Sequence, residues 1–134
     1  MIIRHLEPAF CDKRGRITDI VQHTPFDSVT IITCVRGAIR ANHFHKKSIQ
    51  FSYVLSGRML ALAQLPDGPT ETADLVAGDL LETPPLERHA LQALEDSVLL
   101  IITRGPRGGK SYEDDTFRVP PLQAGPLCPT PKKR

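Results

Sequence analysis

Apolar residues in this chain recur in short runs broken by turn-forming residues about every ten positions, and almost nowhere at helical spacing. That rhythm predicts an all-β sandwich or barrel. Residues 17–21 read as an early strand. The β-branched run 29–35 reads as a buried one. After the Arg36-Gly37 turn, 38–44 alternates weakly and 49–55 is a strong strand. Ser56-Gly57 predicts a tight hairpin, with 58–65 as the returning strand. Pro66-Asp67-Gly68-Pro69 marks another turn. Residues 71–76 alternate, Ala77-Gly78-Asp79 turns the chain into a short strand at 80–82, and 89–94 and 98–103 complete the core.

From Gly105 the character changes. Six of the twelve prolines fall in the last thirty residues, and 105–109 reads as a flexible connector. The expected organisation is therefore one β-barrel domain over 1–104 and a Pro/Gly-rich extension over 105–134, poorly ordered or extended from Pro120 onward. A chain of 134 residues suits one domain with a single core.

Charge changes the picture little. The net charge is +2, with the excess Lys and Arg in the last thirty residues. No basic stripe interleaved with aromatics argues for nucleic acid. No apolar stretch is long enough to cross a bilayer, and no leader pattern opens the chain, so the expected location is cytoplasmic. Cys11, Cys34 and Cys128 lack the spacing of a disulfide framework or a Cys-type zinc site.

The chemistry concentrates at His43-Phe44-His45. Two histidines two apart on a strand point to one face, which sets two imidazoles side by side. They lie in a longer pattern of Gly37, His43, His45, Gln50 and Gly57, followed by Gly78, Pro84 and His89. This pair of motifs resembles those of the cupin superfamily. The resemblance implies a double-stranded β-helix, or jelly-roll, barrel with His43, His45 and His89 gathered at one inner site and Gln50 as a fourth member. Three departures stand out: Gln50 replaces the usual glutamate, Leu86 a glycine, and Ala93 an asparagine.

Two kinds of enzyme follow from this resemblance, with a divalent-metal site as the first reading and metal-free isomerisation or epimerisation of a sugar nucleotide as its competitor. Neutral imidazoles with an oxygen donor suit a divalent Fe, Mn, Ni, Cu or Zn ion, with Gln50 either a ligand or a structural hydrogen-bonding amide. Tyr53, Ser52, Glu82 and Gln92 are candidates to orient the imidazoles. The run Arg36-Gly37, His43-Phe44-His45-Lys46-Lys47 and Gln50 also resembles the nucleotide-sugar 3,4-ketoisomerases. That likeness implies metal-free acid–base chemistry by His43 and His45, assisted by Tyr53 or Arg40, on a sugar nucleotide. Arg40 and Arg58 are the candidates to bind an anionic substrate. A cupin that binds a small molecule without turnover is the reading from a different class. Exposed sheet edges and the resemblance both favour a homodimer.

Overall fold

In a computed structural model of the chain, residues 1–124 are described, and they fold into two packed five-stranded antiparallel sheets. The first sheet orders β1 (Ile2–His5), β9 (Asp79–Thr83), β6 (Ile49–Ser56), β11 (Ser97–Arg104) and β4 (Ser28–Cys34). The second orders β12 (Phe117–Arg118), β5 (Ile39–Phe44), β10 (Arg88–Ala93), β7 (Arg58–Gln64) and β8 (Glu71–Val76). A small hairpin of β2 (Phe10–Asp12) and β3 (Gly15–Ile17) stands apart, and one six-residue helix, α1 (Gly109–Asp114), precedes β12. The expected all-β jelly-roll barrel is the architecture found.

Alternation along the strands builds the core. Val54, Met59, Leu75, Ala93 and Leu99 close one end of the space between the sheets. Towards the other end the same inward faces turn polar. Along β6 the inward series runs Val54, Ser52, Gln50, and along β10 it runs Ala93, Leu91, His89. Register then sets Gln50 beside Thr83 on one neighbour and Thr103 on the other. One sandwich therefore has an oily end and a wet end. The outer face of the first sheet is also covered: Leu6, Ile20 and Val21 pack on Phe51, Leu80 and Ile102. This double burial explains why 49–55 and 98–103 read as such apolar runs.

Three expectations change. The predicted hairpin at Ser56-Gly57 is instead a corner, because β6 and β7 lie in different sheets and β7 pairs with β8 and β10. The 29–35 run is an edge strand, not a buried one: Val29, Ile31 and Val35 are exposed on one side. The expected strand at 17–21 stops at Ile17, and Ile20 and Val21 serve as a loop that packs on the sheet. The 105–109 connector is a loop through Gly108, and beyond it the extension, for which no element is predicted, carries α1 and pairs β12 onto β5. Cys128 and the expected looseness of the tail beyond residue 124 lie outside the described residues.

Gly57 makes the corner possible. Its φ is +88°, and a Cβ there would lie 2.5 Å from the Asp96 carbonyl oxygen and 2.7 Å from Ser97 Cα. Gly57→Ala combines a left-handed backbone with an overlap against fixed main chain. It should cost at least about 2 kcal/mol of stability by chemical denaturation. A loss under about 0.5 kcal/mol would mean the corner can relax.

Candidate functional site

The wet end of the sandwich holds a cavity of about 290 Å³. Its walls have different chemistry. The first sheet contributes neutral groups, Gln50, Ser52 and Thr83. The second contributes His43 and His89, with Arg40 and Ala41. The segment after Gly105 closes the third side with Arg107, Tyr112, Thr116 and Arg118. Among the described lining residues there is no carboxylate.

A bulge aims the histidines. His89 pairs with His43, but the next residue, Ala90, pairs with Ala41, so Asn42 is the extra residue on β5. Ala41 and Asn42 both adopt positive φ, +75° and +56°. An extra residue in one strand bends it and redirects the neighbouring side chains. The left-handed backbone at Ala41 is a local cost of this placement. Asn42 is also held from outside: its carbonyl accepts from the Val119 amide, and its side-chain oxygen accepts from the Leu122 amide.

His43, His45 and His89 meet as expected. The His43 ring lies edge-on to both others, with centroids 4.7 Å away in each case. One ring nitrogen from each falls within 4.8 Å of the others, and all three residues are buried. Hydrogen bonds fix two of the tautomers. His45 Nδ1 lies 2.8 Å from the Asp115 carbonyl oxygen, and His89 Nδ1 lies 3.0 Å from the Glu87 carbonyl oxygen. A carbonyl only accepts, so both Nδ1 atoms carry a proton, and in the neutral ring that leaves the lone pair on Nε2. His45 Nε2 is fully buried and has no hydrogen-bond partner. Burial, then the neighbouring His89 and His45 and the nearby Arg118 and Arg107, push the His43 pKa down to about 3. Burial, reinforced by His45, pushes His89 to about 4 against the Glu87 hydrogen bond. His43 and His89 are therefore neutral at pH 7.

Other sequence-based candidates separate. Gln50 and Arg40 line the cavity. Arg40 is partly committed, since it donates to the Thr33 carbonyl at 2.9 Å and to Cys34 Sγ at 3.2 Å. Tyr53 does not reach the imidazoles. The pleat turns it to the outer face of β6, where it packs against the cover formed by Leu6, Ile20 and Val21. Arg58 also lies away from the cavity, paired on β7 with Asp74 of β8 through Nε at 2.9 Å. The orienting partners are two main-chain carbonyls rather than Tyr53, Ser52, Glu82 or Gln92.

The groups that sequence reading missed come from beyond Gly105. Tyr112 lies 5.4 Å from the His45 ring and 6.5 Å from the His43 ring, and the Arg107 guanidinium sits 4.4 Å over its face. Asp115 anchors this segment. Its carboxylate accepts from the Lys46, Lys47 and Ser48 amides and the Ser48 hydroxyl at 3.0–3.3 Å. Burial raises the Asp115 pKa, but these donors outweigh it and hold the carboxyl below its ordinary value. Phe117 stacks on Phe44, and the Lys46 ammonium lies over Phe117. The acidic run at 113–115 is a weak signal in sequence for a residue that caps three amides in a row.

No family model matches the chain. A probable oxalate decarboxylase from Arthroderma benhamiae is 34% identical over 73 residues, which is 53% of this chain. This chain spans only 18% of that relative's length. The QdtA 3,4-ketoisomerase of Thermoanaerobacterium thermosaccharolyticum, as a double mutant in complex with TDP, superposes with a TM-score of 0.72 at 26% identity over 87% of this chain and 86% of that one. A dTDP-4-dehydrorhamnose 3,5-epimerase from Sulfolobus tokodaii superposes with a TM-score of 0.65 at 23% identity, covering 75% and 68%. ChmJ, a 3'-monoepimerase from Streptomyces bikiniensis in complex with dTDP, does so at 0.74 and 16%, covering 89% and 68%. The last two likenesses are of fold. No described helix is long and apolar enough to cross a membrane.

The depressed imidazoles have a consequence for stability. Between the ordinary histidine value of 6.5 and about 4, the unfolded chain binds protons at positions 43 and 89 that the folded chain refuses. Their contribution is fully present above pH 6.5 and is lost as the pH falls through that window. Each adds a slope of up to about 1.4 kcal/mol per pH unit. Denaturant titrations in chelator from pH 7 to 5 should show stability falling with acid. The slope in His89→Gln should be shallower by about one proton. An unchanged slope would place the source elsewhere.

Proposed function

We propose, from the premise that this chain belongs to the cupin superfamily, that it is an acid–base isomerase or epimerase of a keto sugar carried on a nucleoside diphosphate. The observation that carries this reading is the cavity's charge. Arg40, Arg107 and Arg118 face it, its histidines at 43 and 89 are neutral, and no carboxylate lines it among the described residues. Such a field favours a polyanion, and guanidinium forks match phosphate oxygens. The similar 3,4-ketoisomerase structure holds TDP, and related ones are sugar epimerases.

The chemistry rests on the lone pairs. A neutral imidazole takes the proton from a carbon beside the carbonyl; the C–H electron pair becomes a C=C bond and the carbonyl π pair moves onto oxygen, leaving an enolate and an imidazolium. For isomerisation the hydroxyl on the deprotonated carbon passes its proton to the enolate oxygen and the imidazolium returns its proton to the former carbonyl carbon, which moves the C=O; for epimerisation the proton returns to the opposite face of the same carbon. The His43 ring stands equally far from the other two and, like His89, lines the cavity. With a pKa near 3 it is a weak base in the empty site. Burial is the main cause of that depression, and a bound diphosphate would offset only the smaller contributions of Arg118 and Arg107. Tyr112 rather than Tyr53 is the phenol close enough to assist.

A divalent metal is the second reading, favoured by the three convergent ring nitrogens and the unpartnered His45 Nε2. The donor set fits Fe, Mn, Ni, Cu or Zn, held by His43, His45 and His89 with Gln50 as an oxygen donor. When bound, such an ion would supply Lewis-acid polarisation of a substrate oxygen. A neutral amide in place of a carboxylate, beside three arginines, weakens that fit.

The reading is tested with dTDP-4-keto-6-deoxyglucose in D2O. Tag-free, chelator-treated protein containing under about a tenth of an equivalent of metal should wash out the C3 proton by NMR. His43→Asn should slow exchange about 10²- to 10⁴-fold. Arg118→Ala or Arg107→Ala should weaken substrate binding roughly 10- to 100-fold, the worth of one hydrogen bond to a charged group. Exchange that appears only after metal is added supports the second reading. No exchange under either condition sinks the first for this substrate.

A further inference from the structure

Asp115 touches the imidazole cluster in an unusual way. Its main-chain carbonyl, not its carboxylate, accepts from His45 Nδ1. Its carboxylate instead binds the three amides immediately after His45 in the chain, those of Lys46, Lys47 and Ser48. One residue therefore grips both the ring and the main chain that carries the ring, across some seventy positions of sequence. The grip is dry, since Asp115, His45 and Ser48 are all buried.

The same residue sets the position of Tyr112. The Asp115 amide donates to the Tyr112 carbonyl at 3.1 Å, and the Thr116 hydroxyl donates to that carbonyl at 2.6 Å. α1 buries none of its own residues and has no side-chain cap, so it brings little stability of its own. Its docking rests on the residues just past its C-terminus, through the Asp115 contacts, the Phe117–Phe44 stack and the short β12 pairing.

We propose that Asp115 is a positioning residue that locks His45 in the form protonated on Nδ1 with a lone pair on Nε2, and that the same contact holds Tyr112 against the imidazoles. Remove the carboxylate and the three amides lose their acceptor, the Asp115 carbonyl drifts from His45, and nothing else in the described structure selects that tautomer. His89 is unaffected, because its Nδ1–H is held by the Glu87 carbonyl from its own strand entry. The lock deepens the acid–base reading, but the tautomer and the ring contact exist whether or not that reading is right.

The test is side-chain imidazole ¹⁵N–¹H correlation NMR at neutral pH on metal-stripped wild type, Asp115→Asn and Asp115→Ala. In wild type, His45 and His89 should both show a protonated Nδ1 and a pyridine-like Nε2. In Asp115→Ala, His45 should become a tautomer mixture and its NOE contacts to the Tyr112 ring should vanish. His89 should keep its pattern, which shows that the sandwich is intact. Asp115→Asn keeps the size and one oxygen acceptor and should fall between the two, which guards against an alanine variant that fails to fold. Three results would overturn the proposal: His45 unchanged in both variants, His45 and His89 scrambled together in Asp115→Asn, or a lost Tyr112 contact with the His45 tautomer unchanged. If the lock holds but no sugar nucleotide exchanges, only the function reading fails.

Discussion

Three imidazoles within 5.5 Å of one another between two sheets can be buried only if they are not all charged. Much of the site's construction answers that constraint. A neutral imidazole must place one proton, and in a dry site that proton needs an acceptor. The acceptors here are main-chain carbonyls, of Asp115 for His45 and of Glu87 for His89. A carbonyl adds no charge, so it settles the tautomer while favouring the imidazolium only weakly, and at His89 burial outweighs it. A carboxylate in the same position would favour the imidazolium. The result is a cluster with lone pairs facing inward, a common starting point for proton transfer and for metal ligation.

The sheets supply the aim. Strand pleat alone brings the side chains of Gln50, Ser52 and Val54 to the inner face of β6, and those of His89 and Leu91 to the inner face of β10. The β5 ladder needs more than pleat, and the bulge at Ala41-Asn42 shifts its register next to His43. Two consecutive left-handed residues are tolerated there because Asn42 is tied through both its oxygens to the segment beyond β12. The late segment thus holds the histidine strand twice, at Asn42 and at His45.

The barrel was legible in sequence because its signals are local. Turn residues at fixed intervals and β-branched runs give strands directly, and the spacing of Gly37, His43, His45 and His89 marks the inner site. Strand partners were less legible. Ser56-Gly57 has the composition of a hairpin, and only the packing of two sheets makes it a corner. Tyr53 differs from the expectation by one step of the pleat: Ser52 faces the cavity, so its neighbour faces away. Arg58 sits in a strand as Arg40 does, and nothing local reveals that Asp74 will meet it. Asp115, Tyr112 and Arg107 escape a reading of the sequence because their function lies in contacts some seventy residues away or in a fold-back that composition alone cannot show.

That fold-back decides what the cavity can hold. The jelly roll alone offers histidines, an amide, hydroxyls and Arg40, a set compatible with a cation. The segment after Gly105 adds Arg107 and Arg118 to the lining and no carboxylate: Asp115 spends its charge on three amides, and Glu113, outside the lining, lies 3.8 Å from the largely exposed Arg118 guanidinium. Like charges in a low-dielectric cleft reinforce one another at the ligand's position. The proposed preference for an anion is therefore one that the closed site would supply and the histidine motif alone would not. A chain with the same motif and a different closing segment could keep the same imidazole geometry and favour a metal instead.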